Sequence, residues 1–407
     1  MKDQPEHTMN TALSRRRFLT GVTATAATGA LAISGLNCSK SGGTMKLVKL
    51  GRTNMMVSPF LGDRMSDRKM YEIQIAAGVN YWHKIGTWAN PAPYDLFRSL
   101  DRDSFYCDTT VASLDKDKAI EIFERALEKT GLEYIDGFKV HSQYRSAEDV
   151  RTKMGAIQAF EQLKKQGKTR YLMMSQHINT SEVFEAAVES DLFDVIQVPV
   201  NPVVPRDYLT KEVFQQKFQQ DEYFALIKKA ADRGIGITAM KVFMWGPKYW
   251  DEIPDLRERI QDFLPDNKSI ATALIHFTLS VPGVVAFGNM LNSFEEVQEN
   301  LEAVGGEFTD LEDRGLKRFS EAAGSYICRL CGACERANPG GVAVSDILRF
   351  MGYAIGHNKP DMAKACYRAL PKHARVEAAR NLASYEKSCP YNLPVEKLLR
   401  KAQILLA

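Results

Sequence analysis

Cys328, Cys331 and Cys334 are spaced as Cys-x2-Cys-x2-Cys, and Cys389 stands directly before Pro390. Five of the chain's seven cysteines, these four and Cys366, thus gather near its C-terminal end, a distribution that points to a local metal site and not to a disulfide-stapled fold. Three thiolates packed this closely, with a distant fourth, suit the corners of a 4Fe–4S cluster. Zinc also takes four thiolates, but its sites usually come as two well-separated Cys-x2-Cys pairs. A framework of disulfides belongs to short secreted chains with many more cysteines. Cys107 and Cys366 fall outside the set and are expected to be buried structural thiols.

A cluster site needs a scaffold, and the composition supplies one. The 407 residues are 45% hydrophobic and 25% charged, ordinary for globular protein, and the length suits one large barrel with an appendix or two to three domains. A net charge of +3, with no dense Lys/Arg patch interleaved with aromatics, argues against a nucleic-acid partner. From Met45 onward, short apolar runs alternate with helical periodicity. Lys116 to Lys129 places Ile120, Phe123 and Leu127 on one helical face before Gly131 stops it. Tyr134 to His141 reads as a strand, Met154 to Lys165 as a helix, and Thr169 to Met174 as the next strand. Further strands are expected at 194–198, 236–241 and 283–287, with helices at 181–189, 222–233 and 269–280. Such alternation predicts a closed parallel (β/α)8 TIM barrel, an α/β fold. The doubly wound alternative lacks its Gly-x-Gly-x-x-Gly mark after a first strand. The expected organisation is a leader over residues 1–44, a barrel over 45–315 and a small helical cluster-bearing domain over 316–407.

Ser14-Arg15-Arg16-Arg17-Phe18-Leu19 opens an Ala-, Gly- and Thr-rich apolar run, too weakly apolar for a membrane span. The segment resembles a twin-arginine export signal, with Ala30-Leu31-Ala32 fitting a cleavage site, which implies a periplasmic protein. Cys38 precedes the flexible stretch Ser39-Lys40-Ser41-Gly42-Gly43 and resembles a lipoprotein cysteine, although Gly35-Leu36-Asn37 matches a lipobox poorly. Membrane contact is expected only if Cys38 is lipidated.

Four motifs occur in family order between residues 46 and 305. Lys49-Leu50-Gly51-Arg52-Thr53-Asn54 with Val57-Ser58 resembles the opening hairpin of aldo-keto reductases. Gly131-Leu132-Glu133-Tyr134-Ile135-Asp136, before His141, resembles their fourth-strand signature. Leu163 to Tyr171 resembles the next helix–strand junction, and Glu296 to Leu301 the final cofactor-side helix. In this family a Tyr protonates the carbonyl, helped by a Lys paired with an Asp, and a His orients the substrate. By resemblance the Asp position is His83, the Tyr position Trp88 and the Lys position Thr110, and only His141 is kept. Indole has no proton to give at useful pH, and Thr110 brings no charge. The inherited acid–base relay therefore cannot operate as written. Any proton donor must be His83, His141 or Tyr94, unless both histidines are satisfied interior residues of a retired site. The resemblance also implies an NADP(H) cradle in which Ser175 and Gln197 hold and stack the nicotinamide, beside Met240-Lys241. The pyrophosphate-side glycine is Met290, two residues from Gly288.

One charge looks displaced. Asp108 shares a strand face with Thr110, and Lys139 shares one with His141, in a layer usually packed with branched apolar residues. Each isolated charge would be costly there, so the two are expected to pair.

The C-terminal segment resembles a two-cluster ferredoxin domain reduced to one cluster. Asn338-Pro339 stands where the first run's fourth cysteine would be, and Ala379, Leu382 and Tyr385 stand where the second run's first three would be. One whole ligand set is kept and the other is wholly lost. Two functions follow: an exported oxidoreductase whose cluster relays electrons to or from the barrel, or a non-catalytic electron-transfer or binding subunit that uses the barrel as scaffold. The expected partners are a redox protein or a small-molecule substrate.

Overall fold

Leu50, Met55 and Val57 are fully buried on a short hairpin of β1 (Val48–Lys49) and antiparallel β2 (Met56–Val57). Thr53 clasps the turn, its hydroxyl donating to the Leu50 carbonyl at 2.6 Å. The computed structural model describes residues 45–63, 65, 67–86, 92–177, 180–203, 220–260, 269–324, 326–339 and 341–407. Arg15, Arg16, Cys38 and Trp88 lie outside these.

Eight parallel strands follow the hairpin among the described residues: β3 (Phe60–Leu61), β4 (Tyr81–Trp82), β5 (Tyr106–Val111), β6 (Gly137–His141), β7 (Tyr171–Ser175), β8 (Val195–Pro199), β9 (Gly236–Met240) and β10 (Val284–Gly288). Their order is β3-β10-β9-β8-β7-β6-β5-β4, and a parallel bridge between Gly62 and Trp82 joins the two ends into the expected barrel. Gly51 lies flush against the foot of β9, where a Cβ would collide with the backbone of Gly236 and Gly234. The hairpin thereby seals the barrel floor, where Leu50, Met55 and Val57 pack with Leu61, Tyr81 and Met173.

Helices cover the outside because their apolar stripes need a partner. In Lys116–Thr130, Asp115 caps the N-terminus, Ala119, Phe123, Ala126 and Leu127 are buried, and Gly131 ends the helix at φ +66°. Ile120 is only partly covered, because the buried stripe runs through Ala119 instead. β6 and β7 begin later than the apolar runs suggest. Asp136, just before β6, is fully buried against Arg102 at 2.7 Å and Arg170, which ties that end of the strands by charge.

The C-terminal helices pack onto the segment that follows β9. Helix Val344–Ile355 brings Gly352 against the Trp245 ring, and a Cβ on Gly356 would lie 1.5 Å from the Trp245 carbonyl oxygen. Tyr249 donates to the Tyr326 carbonyl at 3.2 Å. Cys107 is buried as expected, and burial pushes its thiol up to about 12. Cys366 departs from expectation. It is only partly buried, since helix Pro360–Ala369 turns Ala363 and Tyr367 inward instead. No helix among the described residues is long and apolar enough to cross a membrane.

Gly356→Ala should lower stability by about 1–3 kcal/mol in urea denaturation, the range for overpacking a tight contact. An unchanged midpoint would show that the helix retreats from Trp245 without cost.

Candidate active site at the barrel mouth

Asp108 on β5 is completely buried, yet four donors converge on its carboxylate. The Lys139 ammonium lies 2.6 Å from Oδ1, the Lys84 backbone N–H donates to Oδ1 at 3.1 Å, and the Tyr81 hydroxyl donates to Oδ2 at 3.0 Å. His83 Nδ1 completes the set at Oδ2. Burial alone would raise this carboxyl, but Lys139 and His83 more than offset it and hold it well below the usual range. The expected Asp108–Lys139 pair is therefore formed. The register explains how: Thr110 sits opposite Lys139 on β6, which leaves Asp108 one inward position below.

His83 is spent on this layer. With Nδ1–H given to Asp108, its Nε2 accepts from Gln197 Nε2 at 2.9 Å. Burial lowers its pKa, so the ring is neutral at pH 7. Its edge fills the space beside Gly288, where a Cβ would come within 3.0 Å of the ring. His141, one layer higher, bonds Ser175 Oγ through Nδ1 at 2.7 Å, as the β6–β7 register dictates. Each histidine singled out for catalysis is thus hydrogen-bonded to one of the two residues singled out for cofactor binding. Tyr94 is half-buried, and its hydroxyl is engaged near the backbone of Gly86 and Ala92.

His177 extends the chain, with its Nε2 3.3 Å from His141 Nε2. Burial, then the nearby basic side chains of Lys84 for His141 and Lys241 for His177, holds both histidines well below their usual range, and burial lowers Lys241 itself well below the usual lysine range. Lys84 pairs with Asp63 at 2.8 Å, and Arg349 from the C-terminal helices pairs with Asp346. Lys84, Ser142 and Lys241 all have positive φ just past strands β4, β6 and β9. Such backbone is costly for non-glycine residues and clusters at functional sites.

The aldo/keto reductase family model matches residues 100–321, more than half of the chain. The chain belongs to the aldo/keto reductase family. Two solved structures of an aldo-keto reductase from Bacillus halodurans share the fold. The holo form has a TM-score of 0.54 and 19% identity, and the apo form 0.53 and 18%; each covers 70% of this chain and 99% of its own. No match to a curated protein was found.

As an aldo/keto reductase, this chain builds its mouth from different parts. Thr110 is buried within the barrel, and Asn289, just past β10, donates to Asn300 of helix Phe294–Ala303 at 2.9 Å. Met290 sits just past β10, partly buried. His177, Asp63 and Arg349 escaped the sequence reading. His177 could have been noticed, since it follows Ser175-Gln176 at a strand's C-terminal end, where this fold places its chemistry. Nothing local marks Arg349, which comes from a distant helix.

Lys139→Met should cost roughly 3–5 kcal/mol in denaturant unfolding, because it strands Asp108 in the interior. Adding Asp108→Ala should recover part of that loss. Additive losses would mean that the two side chains act independently.

Proposed function

We propose that this aldo/keto reductase carries one 4Fe–4S cluster on Cys328, Cys331, Cys334 and Cys389 and relays electrons between it and the barrel mouth. The observation that carries the reading is the Cys-x2-Cys-x2-Cys spacing with a distant Cys-Pro, and in the fold Cys334 and Cys389 are buried in the same apolar core against which Cys328 packs. Burial, then the neighbouring Cys334 and Cys331 and the more weakly acting Cys389, pushes the Cys328 thiol well above its usual range. Cys334 is raised in the same way, with Glu335, Cys331 and Cys389 adding to burial. Among the described residues no group of three or more His, Cys, Asp or Glu is arranged to hold a metal ion. Buried thiols crowded this way would be relieved by iron, which takes them as thiolates.

The residues at the lost ligand positions favour one cluster over two. Leu382 and Tyr385 share the apolar core with Cys334 and Cys389, and the Val342 N–H donates to the Tyr385 hydroxyl at 2.8 Å. Asn338 donates to the Cys334 carbonyl at 2.8 Å. A bound cluster would supply single-electron transfer. Tyr249, on the segment that follows β9, donates to the carbonyl of Tyr326, two residues before Cys328, which supports a cluster on this side of the barrel mouth. In this reading the electron partner is a redox protein or a small-molecule substrate.

Family membership supports NADP(H) as the nucleotide, with Ser175 and Gln197 as the residues that would hold its nicotinamide. Both side chains already serve His141 and His83, which favours a second reading: an electron-transfer or binding subunit with the barrel as scaffold. The twin arginine at Arg15 and Arg16 supports export of the folded chain to the periplasm, with cluster insertion before transport, and Cys38 is the residue for a lipid anchor.

Anaerobically purified protein should contain about four iron and four sulfide per chain and absorb broadly near ~400 nm. Cys389→Ala should remove this colour and Cys366→Ala should keep it. About eight iron, or stoichiometric zinc, would defeat the assignment. Replacing Arg15 and Arg16 with Lys should leave the protein in the cytoplasm, and normal periplasmic yield would rule out that route.

A further inference from the structure

The small net charge of the chain hides two opposite halves. Residues 316–407 hold 15 Lys and Arg against 7 Asp and Glu, whereas residues 45–315 hold 33 against 41. The C-terminal segment is therefore as cationic as the barrel is anionic. A field divided in this way repels a negatively charged protein from one segment and draws it to the other.

The positive charge is concentrated. Arg368 lies in the last turn of helix Pro360–Ala369, Lys372 and His373 open the short turn Lys372–Ala374, and Arg380 follows the turn Val376–Ala378. All four side chains are exposed. Arg375 folds back between them and donates to the Leu370 and Arg368 carbonyls at 3.0 and 2.5 Å, which lays the turns against the helix end. Glu377 is the one acid between residues 362 and 380, and it accepts from the Tyr367 hydroxyl at 2.7 Å. Among the described residues no ion pair reaches Arg368, Lys372, Arg375 or Arg380. Exposed cations elsewhere sit beside acids of their own helix, as Arg68 does with Glu72, Arg125 with Glu121 and Lys228 with Asp232. A cationic face without local acids is open to counter-charge from another molecule.

This strip also covers the segment that bears the cysteines. The Ala374 carbonyl accepts the Ala343 N–H at 2.9 Å, and the preceding Val342 N–H donates to the Tyr385 hydroxyl. Tyr385 and Val376 lie in the apolar core with Cys334 and Cys389. We propose that Arg368, Lys372, Arg375 and Arg380 form a docking strip for an acidic electron-carrier protein. That the partner carries electrons rests on the cluster reading; that it is acidic rests on the surface alone. One electron passes between the carrier's centre and the cluster, one being oxidised as the other is reduced, with no proton or group moved. A lipid surface is the poorer match, because no large apolar side chain of residues 360–380 is exposed for insertion.

Isothermal titration calorimetry of the full chain, purified anaerobically, should compare an acidic [2Fe–2S] ferredoxin with a basic cytochrome c. The ferredoxin should bind at least about tenfold more tightly. Raising the salt from about 0.01 M to about 0.15 M shortens the screening length from roughly 30 Å to roughly 8 Å and should remove most of that preference. Arg368→Gln, Lys372→Gln and Arg380→Gln together should abolish it, and the same three positions changed to Glu should invert it. Lys118→Gln, Lys129→Gln and Lys165→Gln, an equal charge loss at exposed barrel positions, should leave it in place. Equal binding of the two carriers, or a preference that survives the strip changes, would overturn the proposal. So would strip-dependent binding to vesicles of equimolar phosphatidylcholine and phosphatidylserine without ferredoxin binding. Iron without a carrier preference removes the strip alone; a preference without iron keeps the strip and removes the electron relay.

Discussion

A carboxylate that has left water must find donors for all its lone pairs, and Asp108 finds four. Much of the barrel interior is arranged by that requirement. Tyr81 and Lys84 bring β4 and its following turn to the group, Lys139 brings β6, and His83 passes the constraint through Gln197 to β8. Below, the Tyr81 hydroxyl also meets Met173, which joins the charged layer to the apolar floor under the hairpin. A layer normally filled with branched aliphatic side chains has become an ionic girdle, and the two histidines and the amide above it inherit their orientation from it.

The consequence for chemistry is a mouth without a free acid. In the family's arrangement a phenol, a lysine and a carboxylate share one proton-donating task. Here the Lys139 ammonium on β6 is paired with Asp108, so its charge is spent on that carboxylate and not on a proton donor. The histidines that remain are neutral and linked in pairs, His83 to Gln197 and His141 to Ser175 and His177. Ser175, His141 and His177 form a continuous hydrogen-bonded chain that can shift tautomer without carrying net charge, which suits a site ringed by Lys84, Lys241 and Arg349.

Much of this was legible in the sequence wherever a residue's type conflicted with its place. The strand–helix alternation gave the barrel, because period-2 and period-3.6 patterns cannot be exchanged. Asp108 and Lys139 stood out because each would be untenable alone at an inward position. Strand starts were less legible: Tyr134 and Thr169 have strand-like side chains, but the ladder begins only past Asp136, whose buried ion pairs no periodicity reveals. The partners of His83 and His141 were hidden for another reason. Gln197 and Ser175 fit a cofactor cradle equally well by type, and only the packing of β6, β7 and β8 shows that they face histidines. Cys366 failed as a buried residue because one thiol on an amphipathic helix carries too little pattern to fix its face.

The barrel order gives the mouth two opposite sides. β5, which carries Thr110, and β9, whose following segment receives Trp245 and the C-terminal helices, are four strands apart in a ring of eight. The C-terminal helices can therefore stay docked against Trp245 while helix Lys116–Thr130, on the other side, keeps Arg125 and Lys129 exposed to solvent. Traffic on the two sides is independent. Molecules bound at the two sides would therefore not compete for the same surface, whatever their chemistry.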